Sequence, residues 1–144
     1  WQIQISEKLA QMPVNFICKL HPGCYLRPRS HPLSQYGPPA NVNFEDLLDE
    51  VDIFVMDYFQ TTTMAQVLCT DKPIVFVELE RRDLISEFEA PFRERCFYMQ
   101  ATEDDNNRLG LDWDELEDLI LSAELVKDSS LFRAMHVADK STSG

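Results

Sequence analysis

Short apolar runs alternate with helical segments along most of this chain. The continuous runs at 53–56 and 74–77 predict strands of a parallel sheet, because strands covered on both faces lose the alternation of half-exposed strands. The β-rich run at 14–20 (VNFICKL) predicts another buried strand, and 96–99 predicts a last short one. A proline- and glycine-rich segment at 21–41 has no periodicity and predicts a long ordered loop.

Helical periodicity separates these runs. The patterns predict helices at 3–12, 44–51, 61–69, 84–88 and 112–125, the last with Asp112 as its N-cap. Alternation of strands and helices is typical of the α/β class, so we expect a three-layer, Rossmann-like parallel sheet with helices on both faces. The predicted nucleotide-binding domain spans 1–128, and 129–144 is a C-terminal helix or frayed tail.

Length and hydropathy limit the class of protein. The 144 residues suffice for one domain, and no apolar run approaches the roughly 18 residues that span a bilayer. We therefore expect a soluble, cytoplasmic protein without a transmembrane segment. The chain begins at Trp1 rather than Met, and we expect it to be part of a longer protein.

The charge is unevenly distributed. A net charge of −12 argues against nucleic-acid binding, which needs a basic face. Residues 8–44 nevertheless contain no Asp or Glu and carry a set of basic side chains: Lys8, Lys19, His21, Arg27, Arg29 and His31. Such positive potential suits a small anion such as a phosphate, although a chance absence of acids explains the composition equally well.

Several kinds of site lack their sequence motifs. The four cysteines include no C-x-x-C pair, so we expect reduced thiols and no metal site. Cys18 and Cys69 stand in apolar surroundings and are the expected buried thiols. Neither a dinucleotide fingerprint nor a P-loop is present, and we expect no cofactor.

Polar side chains follow the predicted strands. In open α/β sheets ligands bind beyond the carboxyl ends of the strands, where this sequence places Lys19, His21, Asp57 and the run Thr61, Thr62, Thr63. Threonine hydroxyls and the N–H groups of a helix start can bind a phosphate. Plain helix capping is the alternative, although one cap requires only one threonine.

These elements together resemble a known family. Lys19-Leu20-His21-Pro22, a long loop, Asp57-Tyr58, the threonines and Lys72-Pro73 resemble the C-terminal domain of CDP-glycerol glycerophosphotransferase-like and related GT-B transferases. Those proteins build teichoic acids and other surface polymers. The resemblance covers about half the chain, from residue 14 to residue 80.

The resemblance implies a function. It implies a donor-binding half of a GT-B enzyme that binds a CDP- or UDP-linked sugar or polyol, with substrate contacts from Lys19, His21, Arg27, Asp57, Thr61, Thr62 and Thr63. The acceptor would bind an N-terminal domain of the same protein, which could lie at the inner membrane face. The resemblance does not identify the catalytic residues.

The chain also departs from the family pattern. Phe59-Gln60 stands where the family has Ser-Ser, and the following helix has Gln66 but no acid. These departures leave a second hypothesis open, a non-catalytic α/β interaction module with a degenerate transferase site.

Overall fold

The protein is described by a computed structural model that covers residues 1–20, 31–36, 42–79, 86–105, 109–122 and 127–141. The chain divides into two compact units, Trp1–Leu47 and Leu48–Gly144. In the described ranges, no helix is both long enough and apolar enough to cross a membrane.

The first unit is built on one amphipathic helix. Helix α1 (Gln2–Gln11) ends before Pro13, as predicted, and it contacts a short 3-10 helix (Pro32–Gln35). Five apolar side chains are buried in the described part of this unit: Ile5, Leu9, Met12, Leu33 and Leu47. His31 caps the 3-10 helix, because its Nδ1 accepts the Leu33 N–H at 3.2 Å.

The predicted strand at 14–20 is not formed. These residues have no regular secondary structure, and none of them is buried. A β-rich sequence becomes a strand only where it pairs and packs, since β-propensity mostly reflects the surroundings of the residue. The apolar composition of this segment was therefore an insufficient signal.

The second unit contains a small parallel sheet. Helix α2 (Phe44–Glu50) leads into it, followed by strand β1 (Phe54–Met56), helix α3 (Thr62–Leu68) and strand β2 (Ile74–Glu78). Helix α4 (Ser86–Arg95) then precedes strand β3 (Phe97–Gln100). The strands lie in the order β1-β2-β3, with Met56 opposite Phe76 and Glu78 opposite Gln100.

Two short strands and two helices complete the second unit. Strands β4 (Thr102–Glu103) and β5 (Leu109–Gly110) form an antiparallel pair. Helix α5 (Trp113–Leu121) begins at the predicted cap, where the Asp112 carboxylate accepts the Glu115 N–H at 3.0 Å. Helix α6 (Ser130–Ser141) occupies most of the predicted C-terminal segment.

The two faces of the sheet are covered differently. Alternation along the strands puts Phe76, Glu78, Tyr98 and Gln100 on one face. There Phe92 of α4 packs edge-on against Phe76, with ring centroids 4.9 Å apart. On the opposite face, the Lys127 ammonium lies 4.3 Å from the Phe97 ring centroid.

Arginines hold the turn between α3 and β2. Arg95, at the end of α4, is fully buried and donates to the carbonyls of Leu68, Thr70 and Lys72 at 3.1, 2.6 and 2.9 Å. Arg133 of α6 donates to the Cys69 carbonyl at 2.7 Å and pairs with Asp71. The arginines thereby satisfy the carbonyl of Leu68, the last residue of α3, together with carbonyls of the turn that follows.

The fold is therefore mixed α/β with a three-stranded parallel sheet. The predicted strands at 53–56, 74–77 and 96–99 are confirmed as β1, β2 and β3, with small shifts of their ends. The limits of the predicted nucleotide-binding domain stay a prediction.

Candidate functional site

The carboxyl edge of the parallel sheet gathers polar side chains from all three strands. Asp57 follows β1 directly, Glu78 ends β2 and Gln100 ends β3. Because the strands are parallel and in register, these residues lie at the same edge. This is the edge at which open α/β sheets bind ligands.

The threonine run lies at this edge as well, since only five residues separate the end of β1 from the start of α3. Thr61 is the N-cap of α3, and its hydroxyl oxygen accepts the Met64 N–H at 3.0 Å. The capping interpretation is thus confirmed for Thr61. The cap does not use the hydroxyls of Thr62 and Thr63, which occupy the first two helical positions. N–H groups at these positions have no carbonyl partner within a helix.

Glu78 is the most firmly positioned polar residue of the edge. Its carbonyl accepts the Ala101 N–H at 2.9 Å and the Gln100 side-chain amide at 3.2 Å. Its carboxylate accepts a hydrogen bond from the Tyr98 hydroxyl. Main chain and side chain are therefore both fixed, while the residue stays only partly buried.

The residues around Tyr98 determine the pKa of its hydroxyl. The Arg93 guanidinium lies 3.9 Å from the centre of the Tyr98 ring, and Arg93 also pairs with Glu89 at 2.9 Å. Burial, followed by the hydrogen bond to Glu78, raises the pKa of Tyr98 to about 12. The hydroxyl therefore stays protonated at neutral pH and acts as a donor to the carboxylate.

The predicted substrate-binding residues fall into three groups. Asp57, Thr61, Thr62 and Thr63 lie together at the carboxyl edge. Lys19 belongs to the first unit, where its ammonium donates to the Leu20 carbonyl at 3.4 Å. His21 and Arg27 lie outside the described residues, so their predicted roles stay predictions.

No family model, curated protein or solved structure matches this chain. The resemblance to glycerophosphotransferase-like proteins therefore stays a prediction from sequence.

Three side chains near this edge were not predicted from sequence. Tyr98 and Gln100 alternate with apolar residues in β3, and this period of two was a usable signal. Arg93 precedes the strand on α4, and only its position over Tyr98 reveals its role.

The thiols differ from expectation in their burial. Cys18 and Cys69 are only partly buried, whereas Cys96, between α4 and β3, is buried. All three are free thiols, and the described ranges contain no group of three or more potential metal-binding side chains. Burial raises the pKa of Cys96 to about 12.

Cys96 is expected to resist alkylation in the native protein. The thiolate is the reactive form, and a rise from the ordinary cysteine pKa of 9.0 to about 12 lowers the thiolate population at pH 8 roughly thousandfold. Iodoacetamide labelling followed by peptide mass mapping measures the rate, and labelling in urea is the control, because unfolding removes the burial. Native labelling of Cys96 as fast as that of Cys69 would contradict the structure.

Proposed function

We propose that this chain is the donor-binding domain of a transferase that uses a nucleotide-activated sugar or polyol. One observation carries the proposal: the carboxyl edge of a parallel sheet brings together Asp57, the three threonines and Glu78. Hydroxyl and N–H donors suit a diphosphate, and carboxylates suit the hydroxyls of a sugar or polyol. The sequence resemblance points to the same ligand.

The proposed reaction is direct displacement at the donor phosphate or anomeric carbon. Donors at Thr62 and Thr63 would stabilise the charge on the leaving group, which is a nucleoside monophosphate after displacement at phosphorus and a nucleoside diphosphate after displacement at the anomeric carbon. An N-terminal domain of the same longer protein would bind the acceptor, in the cytoplasm near the inner membrane face. We also propose that the chain folds as a three-layer, Rossmann-like domain that forms one half of a GT-B architecture.

The threonine hydroxyls give the proposal a specific test. Thermal unfolding is measured with CDP, UDP and their glycerol- or sugar-linked derivatives on the wild type and on a Thr62→Val, Thr63→Val double variant. A ligand at 100 times its Kd stabilises a folded protein by about 2.7 kcal/mol, which corresponds to a rise in Tm of roughly 5–10 °C for a chain of this size. We expect this rise in the wild type and its loss in the double variant.

Thr70→Val is the matched control. Thr70 lies at the opposite, amino edge of the sheet, where its hydroxyl donates to the Val67 carbonyl at 2.8 Å. Its replacement removes a hydroxyl without touching the proposed site, so the ligand-induced rise in Tm should persist.

His21→Ala tests the phosphate contact that the resemblance implies for His21. A rise that survives the double variant unchanged would remove the threonines from the site.

A non-catalytic interaction module is the second candidate. Phe59, at a position where the family has serine, packs edge-on near Phe92 with ring centroids 6.4 Å apart, so it serves the aromatic core. On this view the edge has lost its transferase chemistry, and no nucleotide raises the Tm.

A further inference from the structure

Strand β3 is the last strand on one side of the parallel sheet. The strands follow the order β1-β2-β3, and within the described ranges no further strand pairs with β3. The short strands β4 and β5 form a separate sheet. A strand in this position presents main-chain N–H and C=O groups to which another strand can pair.

The hydrogen bonds between β2 and β3 show which residues present these groups. In a parallel ladder, every second residue directs both its N–H and its C=O to the neighbouring strand. The Ala101 N–H donates to the Glu78 carbonyl at 2.9 Å, so Ala101 and every second residue before it face β2. Tyr98 and Gln100 lie between those residues and direct their N–H and C=O groups away from β2. We call these groups the outer side of β3; Gln100 is exposed and Tyr98 is partly exposed.

The outer side of β3 is complementary to itself. If two β3 strands pair antiparallel with Met99 on the two-fold axis, Tyr98 of each copy lies opposite Gln100 of the other. The two residues of each pair then exchange both hydrogen bonds, and every outward N–H meets an outward C=O. A register shifted toward the amino end would need the Cys96 N–H, which already donates to the Phe92 carbonyl at 3.0 Å.

Charged side chains near the two ends of β3 fit the same arrangement. At the amino end, the Lys127 ammonium donates to the Cys96 carbonyl at 2.7 Å and lies 4.3 Å from the Phe97 ring centroid. Just beyond the carboxyl end, Glu103 is exposed. Antiparallel pairing brings opposite ends of the two strands together, so Lys127 of each copy comes near Glu103 of the other. Opposite charges across a strand pair stabilise it, and a parallel arrangement would not bring them together.

We propose that two copies of this chain associate through the outer side of β3. The two β3 strands pair antiparallel about Met99, and the three parallel strands of each copy become one continuous sheet. This association does not depend on the proposed transferase function, because Asp57 and the threonines follow β1, on the other side of the sheet. One short strand from each copy makes a small interface, so the dimer is expected to be reversible, with a dissociation constant in the micromolar range.

Sedimentation velocity of the full chain, from low micromolar to millimolar concentration, measures the association. The wild type should change from monomer to dimer over this range. Gln100→Pro removes an outward N–H that the ladder with β2 does not use. It should raise the dissociation constant about thirtyfold or more, because each dimer loses two N–H donors and one hydrogen bond typically contributes about a factor of five.

Gln100→Ala is the matched control at the same position. It removes the same side chain, including the amide that donates to the Glu78 carbonyl, but it keeps the main-chain N–H. Its dissociation constant should therefore stay close to that of the wild type. Equal weakening by proline and alanine would show that the outward N–H is not used, and would overturn the proposal.

Charge reversal tests the register and the identity of the partner. Lys127→Glu and Glu103→Lys should each raise the dissociation constant, because each places like charges together at both ends of the strand pair. The double variant should restore the association, since it has the same pairs with their signs exchanged. A double variant that associates no better than the single variants would contradict the antiparallel register.

Amide hydrogen exchange, followed by NMR at several protein concentrations, locates the contact. The Tyr98 and Gln100 amides should exchange more slowly as the dimer forms, whereas the Met99 amide, which already faces β2, should change little. Protection of the first two amides in the monomer would show that another segment of this chain covers the outer side. That result would overturn pairing with a second copy.

Two further results would overturn the proposal. One is a chain that stays monomeric up to millimolar concentration, and the other is a dimer whose dissociation constant Gln100→Pro leaves unchanged. If Gln100→Pro fails to fold, the exchange rates of the wild type decide. Rapid exchange of the Tyr98 and Gln100 amides in the dimer would then place the contact elsewhere on the chain.

Discussion

Replacing Arg95 by methionine is expected to lower the free energy of unfolding by about 3–5 kcal/mol. Arg95 is fully buried, and its guanidinium satisfies three main-chain carbonyls, those of Leu68, Thr70 and Lys72. Methionine fills a similar volume but donates no hydrogen bond, so the carbonyls would lose their partners inside the protein. A buried acceptor without a partner costs about 1–3 kcal/mol.

Denaturant titration followed by tryptophan fluorescence measures this effect. The chain has two tryptophans, so a Trp1→Phe background leaves Trp113 as the reporter of the second unit. Arg93→Met is the matched control on the same helix, because the Arg93 side chain is 44% exposed and its ion pair with Glu89 lies at the surface. The control should cost less than about 1 kcal/mol. Equal effects at the two positions would contradict the role of Arg95.

Phe92→Ala is expected to lower the free energy of unfolding by a similar amount, about 3–5 kcal/mol. Phe92 is fully buried, and its ring lies within 6.4 Å of the rings of Phe59, Phe76 and Phe88, measured between centroids. Truncation removes the apolar area of the ring and leaves a cavity that the surrounding aromatic residues cannot fill without moving. The same denaturant titration measures the loss.

Two further variants distinguish the effect of a cavity in the core from the effect of truncating any apolar side chain. Phe92→Leu keeps much of the volume and should cost less than Phe92→Ala. Leu131→Ala removes an apolar side chain that is 46% exposed on α6, so it should change the free energy of unfolding by less than about 1 kcal/mol. A small loss in Phe92→Ala would show that Phe92 is not the centre of this core.

Local signals predicted the second unit well. The run that became β2 is continuous and apolar because both of its faces are buried, and caps at Thr61 and Asp112 were readable from single residues. These features depend on residues close in sequence. The position of Asp57 and the threonines at the carboxyl edge followed from the parallel order of the strands.

Features that depend on distant residues escaped prediction. The segment 14–20 has the composition of a strand but no pairing partner in its own unit as far as the structure describes it. The helix predicted at 84–88 continues through Pro91 to Arg95, because its packing offsets the hydrogen bond that proline cannot make. Arg95 shares a helical stripe with Phe88 and Phe92, but its carbonyl partners lie more than twenty residues away in sequence.

The central claim, that the carboxyl edge binds a nucleotide diphosphate, is tested most directly by isothermal titration of the wild-type chain with CDP and UDP. The proposal predicts saturable binding of at least one of them, with one site per chain. An absence of saturable binding up to millimolar nucleotide, by protein that unfolds cooperatively, would contradict the claim and favour the non-catalytic module.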